Sequence, residues 1–182
     1  MRCMRATVVL LVALALAGCA RVTVTTDHDP SANFGALHTY AWRPGPQQGV
    51  GDPRFDSTLI DKRVRAAVDR VLASKGYRSA APGTTADFLV GYHAVVRQKT
   101  SVQTINRWYG YRVGGGWYGG PQTYAHDYDE GTLLIDVIDP ATMQLLWRGS
   151  GTGVVDPQAS PEKREQRIND AVDQILAGFP PR

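Results

Sequence analysis

Gly149, Gly151 and Gly153 stand at alternate positions of one run, 144–155, in line with Leu145 and Trp147. Successive residues of a strand point to opposite faces. The three glycines therefore share one face and leave room for a helix to sit close to the sheet. Two stretches have the stripe such a helix needs. Ile60, Val64, Ala67, Val68, Val71 and Leu72 recur at three-and-four spacing, and so do Ile168, Ala171, Val172, Ile175, Leu176 and Phe179.

Capping chemistry sets the limits of both helices. For the first, Asp52-Pro53 and Asp56 are alternative starts, and Gly76 is the left-handed residue that ends it. For the second, Ser160 caps, Pro161 takes the first position, and Gly178 with Pro180-Pro181 stops it. Arg63, Arg65, Asp69 and Arg70 lie off the first stripe and read as a solvated face, with Asp61 and Arg65 an i, i+4 pair. Period-two alternation marks strands at 21–27, 37–42 (Tyr40 and Trp42 on one side), 86–98, 131–139 and 144–155. Turn residues separate them at 29–33, 43–51 and 139–142. The expected order is ββαβββα. That is an α+β domain with a mixed, mostly antiparallel sheet of about five strands and two helices packed on one face. The crossover between the second and third strands makes them parallel if they are neighbours.

The chain ahead of this body is an address. Arg2 and Arg5 precede a twelve-residue apolar run, 6–17, too short to span a bilayer, which needs about 20 residues. Leu16-Ala17-Gly18-Cys19 then resembles the lipobox of bacterial lipoproteins. The resemblance implies cleavage between Gly18 and Cys19 and acylation of Cys19, through its thiol and its new amino group. Residues 1–18 are the signal peptide on this reading, 19–20 the lipidated end and tether, and 21–182 one domain with an insertion at 100–129. Ala20 stands where an Asp would favour the inner membrane, so the outer membrane, facing the periplasm, is expected. Loss of Arg2 and Arg5 takes the twenty basic residues to eighteen, against seventeen acidic ones. With no basic run left, nucleic-acid binding has no electrostatic basis. Cys3 is discarded and Cys19 consumed, so the body keeps no free thiol.

The body resembles the bacterial lipoproteins of domain-of-unknown-function family 4136. Phe34 and Thr39-Tyr40-Ala41-Trp42 resemble its opening, and Leu72-Ala73-Ser74-Lys75-Gly76-Tyr77 its helix end. Asp87-Phe88-Leu89-Val90 resembles the strand that follows. Glu130-Gly131-Thr132-Leu133 with Asp136 and Asp139, then Leu146-Trp147-Arg148-Gly149, resemble its hairpin, and Phe179-Pro180-Pro181 its close. The resemblance implies an α+β envelope lipoprotein and carries no catalytic residue to any position.

Chemistry-bearing residues each have two readings. Seven of the sixteen aromatic residues and six glycines fall within 107–128, among them Trp108, Tyr109, Tyr111, Trp117 and Tyr118. Rigid aromatic faces stack on sugars or peptides, so these five are candidate contacts for a glycan or an envelope protein. The plainer account is a long glycine-rich hairpin packed on itself or on the sheet. Asp27-His28-Asp29 and His126-Asp127-Tyr128-Asp129-Glu130 have metal-ligand chemistry, but neighbours on a strand diverge, and no metal or other cofactor is expected. Asp136 and Asp139 could form an acid–base pair. More simply, Asp136 pairs with Arg148 across the hairpin while Asp139 starts the turn. No nucleophile motif and no phosphate loop occurs. The expected role is a non-enzymatic interaction module, and the alternative is a domain that binds or hydrolyses peptidoglycan or another periplasmic ligand. Convergence of His93, Asp136 or His126 with a second polar group in one pocket would favour the alternative.

Overall fold

The structure, a computed structural model, describes residues 22–45, 58–105 and 122–181. Its strands are β1 (Thr23–His28), β2 (Thr39–Trp42), β3 (Arg78–Ser79), β4 (Phe88–Ile105), β5 (Gln122–Ile138) and β6 (Leu145–Val155). Helix α1 (Thr58–Ser74) precedes β3, and α2 (Pro161–Leu176) follows β6. All six strands form one sheet in the order β1-β6-β5-β4-β2-β3. The β1–β6, β6–β5 and β5–β4 pairs are antiparallel, whereas β2 runs parallel to both β4 and β3. The class and the mixed sheet are those read from the sequence, and the two strands flanking α1 are indeed parallel neighbours. The additional strand is β3, whose two residues are too few to show any alternation.

The core lies between one face of this sheet and the helix pair. Phe88, Val90 and Tyr92 of β4, Ile135 and Val137 of β5, and Trp147 of β6 meet Val64, Val68 and Leu72 of α1 and Val172, Ile175 and Leu176 of α2. Gly149 and Gly151 sit under α2 as their spacing implied. A Cβ on either would fall within 2.8 Å of Ile175. The close of α1 and the start of α2 also follow the sequence; Asp52, Pro53 and Asp56, the alternative starts of α1, lie outside the described residues. Gly76 has φ +92°, and the Tyr77 N–H reaches the Leu72 carbonyl at 3.0 Å while the Gly76 N–H reaches that of Ala73 at 3.0 Å. This six-to-one and five-to-two pair caps the orphan carbonyls of α1. At α2 the Ser160 hydroxyl accepts the Lys163 N–H at 3.3 Å, with Pro161 at the first turn.

Three expectations need correcting. Strands β4 and β5 stay paired from Leu89 opposite Ile138 to Ile105 opposite Gln122, so 100–105 and 122–129 continue the hairpin into the expected insertion. Polar residues such as Lys99, Thr100 and Ser101 hide the pattern, and among the described residues of this arm none joins the core. Second, the register slips between Val137 and Ile138, so Leu145 is opposite Ile138 and Leu146 is the extra residue. Such a bulge breaks period two. Leu146, not Leu145, therefore packs on the core, and Leu145 is exposed. Third, the charges of α1 are not simply solvated. Asp69 accepts the Tyr40 hydroxyl at 2.8 Å and the Trp42 indole N–H at 3.0 Å, and Asp61 accepts the Tyr92 hydroxyl at 2.8 Å as well as Arg65. The Arg65 guanidinium lies 4.5 Å from the Trp42 ring centre. These groups stitch the helix to β2 and β4.

Asp87 fixes the entry of β2. Its carboxylate accepts the His38 N–H at 2.9 Å, the Thr39 N–H at 2.8 Å and the Thr39 hydroxyl at 2.9 Å. Those three donors hold its carboxyl below the usual carboxylate range. A group whose pKa falls on folding stabilises the fold above its unfolded value, and that contribution is lost as pH falls through the folded value. Asp87→Asn should therefore melt below the wild type at neutral pH, and the gap should narrow on acidification towards about pH 3. Melting curves across that range check it; a gap independent of pH would remove the charge from the account.

Candidate functional site

Side chains on the inner face of the sheet shrink along the strands. Phe88, Val137 and Trp147 fill one end. Farther along, β4 presents Ala94 and Val96, β5 presents Leu133 and Gly131, and β6 presents Gly151 and Gly153. Ala171 adds a small residue from α2, beside Ile168, and α1 contributes Ile60 and Val64. Glycine and alanine do not fill the gap that the bulky end sets between sheet and helices. What remains is an apolar cleft of about 190 Å³, which Val22, just ahead of β1, also lines. Gly153 was expected to receive a helix closely. It lines this opening instead.

Charged residues border the cleft: Asp156, Arg164, Arg167 and Asp170. Arg164 Nη2 donates to the Pro157 carbonyl at 2.7 Å, but its Nε is buried with no hydrogen-bond partner among the described residues. A buried donor left unpaired is costly. Asp156 accepts the Gln158 N–H at 2.9 Å. Sequence reasoning missed this cleft, because its signal is the run of small residues on three inner-facing strands and α2, legible only once their register is known.

The polar residues singled out in the sequence lie elsewhere. Asp136 is on the opposite face of the sheet, 3% exposed, between Gly91 of β4 and Arg148 of β6 in the register. Arg148 grips it with both ends of its fork, Nε at 2.6 Å and Nη2 at 2.8 Å. This contact pushes the guanidinium pKa up. His93 Nε2 stands 3.7 Å from Asp136 Oδ2, too far for a hydrogen bond. Asp139 accepts the Ala141 and Thr142 N–H groups at 2.8 Å each, which holds its carboxyl low. The two carboxylates thus go separate ways, one to the cross-strand pair and one to the turn. Neither they nor His93 line the cleft.

The two acidic–His runs are divided as well. Asp27 accepts the His28 N–H at 2.9 Å, the His28 ring meets Phe34 edge-on at 6.0 Å, and Asp29 closes a turn by accepting the Ser31 N–H and hydroxyl. Asp127 accepts the Thr100 hydroxyl across the hairpin at 2.7 Å, with His126 beside it opposite Ser101. Among the described residues no three His, Cys, Asp or Glu gather as a metal site would require, and no helix is long and apolar enough to cross a membrane. Gly18 and Cys19 lie outside the described residues, as do Trp108, Tyr109, Tyr111, Trp117 and Tyr118.

The family model described as "Domain of unknown function (DUF4136)" matches residues 24–181. A DUF4136 family protein from Bacteroides thetaiotaomicron is similar at 17% identity and TM-score 0.50, over 87% of this chain and 96% of that one. A PDZ domain protein from Parabacteroides distasonis is similar at 11% identity and TM-score 0.57, over 88% of this chain. This chain spans 36% of that protein's length. A PelC dodecamer from Paraburkholderia phytofirmans is similar at 13% identity and TM-score 0.48, over 89% of this chain and 99% of that one. No curated protein matches the chain in sequence. At these identities, the likeness to the first two, with TM-scores of 0.50 and 0.57, shows a shared fold and nothing finer.

Proposed function

The chain belongs to the DUF4136 family, and we propose that it serves as a lipid-anchored module of the outer membrane that faces the periplasm and acts by binding. One observation carries this reading. Leu16-Ala17-Gly18-Cys19 stands three residues ahead of Val22, which already lines the cleft. An extended chain of three residues spans at most about 11 Å. An acylated Cys19 would therefore hold the folded body and its cleft beside the bilayer. More than one acyl chain is needed for stable anchoring, and a lipobox cysteine supplies that number. Trp108, Tyr109, Tyr111, Trp117 and Tyr118 are the proposed contacts for an envelope protein or peptidoglycan.

Hydrolysis is the second reading, and the approach of His93 to Asp136 is what favours it. Against it, both oxygens of Asp136 are engaged by Arg148, which supports a structural role for that carboxylate.

Growth of the native host with an alkyne-tagged palmitate tests the proposal. The protein should take up label and fractionate with outer membranes, and Cys19→Ala should lose both. Label that persists in the variant would overturn Cys19 as the site.

A further inference from the structure

We propose that the cleft between the sheet and the helix pair is a binding site for one acyl chain of an anionic membrane phospholipid, whose head group is met by Arg164 and Arg167. The walls set the chemistry of the chain. Val96, Leu133, Ile168 and Ile60 surround a floor of glycine, and the space is about 190 Å³. An apolar cavity of about 150 Å³ stays dry and takes up benzene, so this one has room for roughly six to eight carbons. That is the terminal part of an acyl chain, with the remainder leaving past the charged border.

The border sets the sign of the head group. A chain that moves from bilayer hydrocarbon into an apolar cleft gains little from burial, because both surroundings are apolar. Selection then falls to charge. Arg164 keeps a buried Nε with no partner among the described residues, and Arg167 follows one turn later on α2. Phosphate oxygens suit such guanidinium groups, which donate in a fixed fork. Asp156 and Asp170 stand at the same border, and Asp156 is engaged by the Gln158 N–H. They disfavour a phosphate placed away from the arginines. Naming a membrane lipid as the source rests on the lipid-anchored reading, since a tether of three residues brings the cleft to the bilayer.

The test uses the full lipidated protein in vesicles of phosphatidylcholine, with or without phosphatidylglycerol, each lipid carrying a diazirine near the end of one acyl chain. After illumination, crosslinks should concentrate in 151–155 of β6 and 168–171 of α2. Phosphatidylglycerol should label several-fold more than phosphatidylcholine. Ala171→Trp, which fills the cleft, should cut labelling about tenfold while the circular dichroism spectrum is kept; Ala94→Leu does the same from the opposite wall if the first variant fails to fold. Arg164→Gln with Arg167→Gln should remove the preference for phosphatidylglycerol. Labelling spread over the surface, or indifferent to both wall variants, overturns the site. A parallel arm exposes the Cys19→Ala chain to a diazirine fatty acid in water, which separates the site from the anchor. Cleft labelling in that arm alone assigns the space to free fatty acid or to the protein's own anchor chain, and overturns the membrane source.

Discussion

Phe179→Ala should cost about 3–5 kcal/mol of folding stability, the range for removing a buried aromatic ring. Phe179 is fully buried. Its ring centre lies 5.3 Å from Trp147, 5.4 Å from Tyr77, 5.8 Å from Phe88 and 6.1 Å from Phe34. Those four rings come from β6, the end of α1, β4 and the turn before β2, so no single element can close the gap by shifting. Total stabilities are about 5–15 kcal/mol, and a loss of this size would leave much of the chain unfolded at modest urea concentrations. Equilibrium urea unfolding measures it directly. A change below about 1 kcal/mol, the level of an ordinary surface substitution, would show that the cluster can repack and that Phe179 is not its keystone.

That cluster also explains what the family resemblance records. Phe34 and Tyr40 of its opening, with Tyr77, Phe88, Trp147 and Phe179 from its four other stretches, all join one core. The polar members of the same stretches have structural partners too: Asp87 at the entry of β2, and Asp136 with Arg148 across the hairpin. The resemblance therefore spells out how the sheet and helices are locked together. Of the cleft it takes in only Gly131, Thr132 and Leu133 of β5; the other walls, from β4, β6 and both helices, lie outside it.

Local chemistry was legible where each residue answers to neighbours in the chain. Ser160-Pro161 and Gly76 define helix ends, Asp139 defines a turn, and the two apolar stripes face the core, because caps, turns and periodicity are short-range. Asp136 with Arg148 was legible as opposite charges on the two sides of one turn, although it is the bulge at Leu146 that brings them directly opposite each other. Contacts between elements distant in sequence were not. Asp61 and Asp69 look solvated on a helical wheel, and only the placement of β2 and β4 beside α1 gives them the hydroxyls of Tyr92 and Tyr40. The cleft is hidden for the same reason. Ala94, Gly131, Gly153 and Ala171 are ordinary small residues until three strands and a helix bring them to one place.

Gly149→Val should cost about 3 kcal/mol, at the upper end for overpacking a tight core, although valine suits a strand better than glycine does. A Cβ at this position would lie 2.5 Å from Ile175 Cγ2 and closer still to the Trp147 ring. Both neighbours are fully buried, so neither can swing into solvent to relieve the overlap. By contrast, a Cβ on Gly35 meets only Asn33 Oδ1 at 3.5 Å, and Gly35→Ala should stay within about 0.5 kcal/mol of the wild type. A double-mutant cycle assigns the cost to its cause. Trp147→Phe shortens the ring that overlies Gly149, at its own cost in lost contacts, and the pair with Gly149→Val should lose clearly less than the two single losses combined. Strict additivity in urea unfolding would mean that the ring is not what excludes a side chain there. The close seat of α2 on β6 would then have to rest on Ile175 alone.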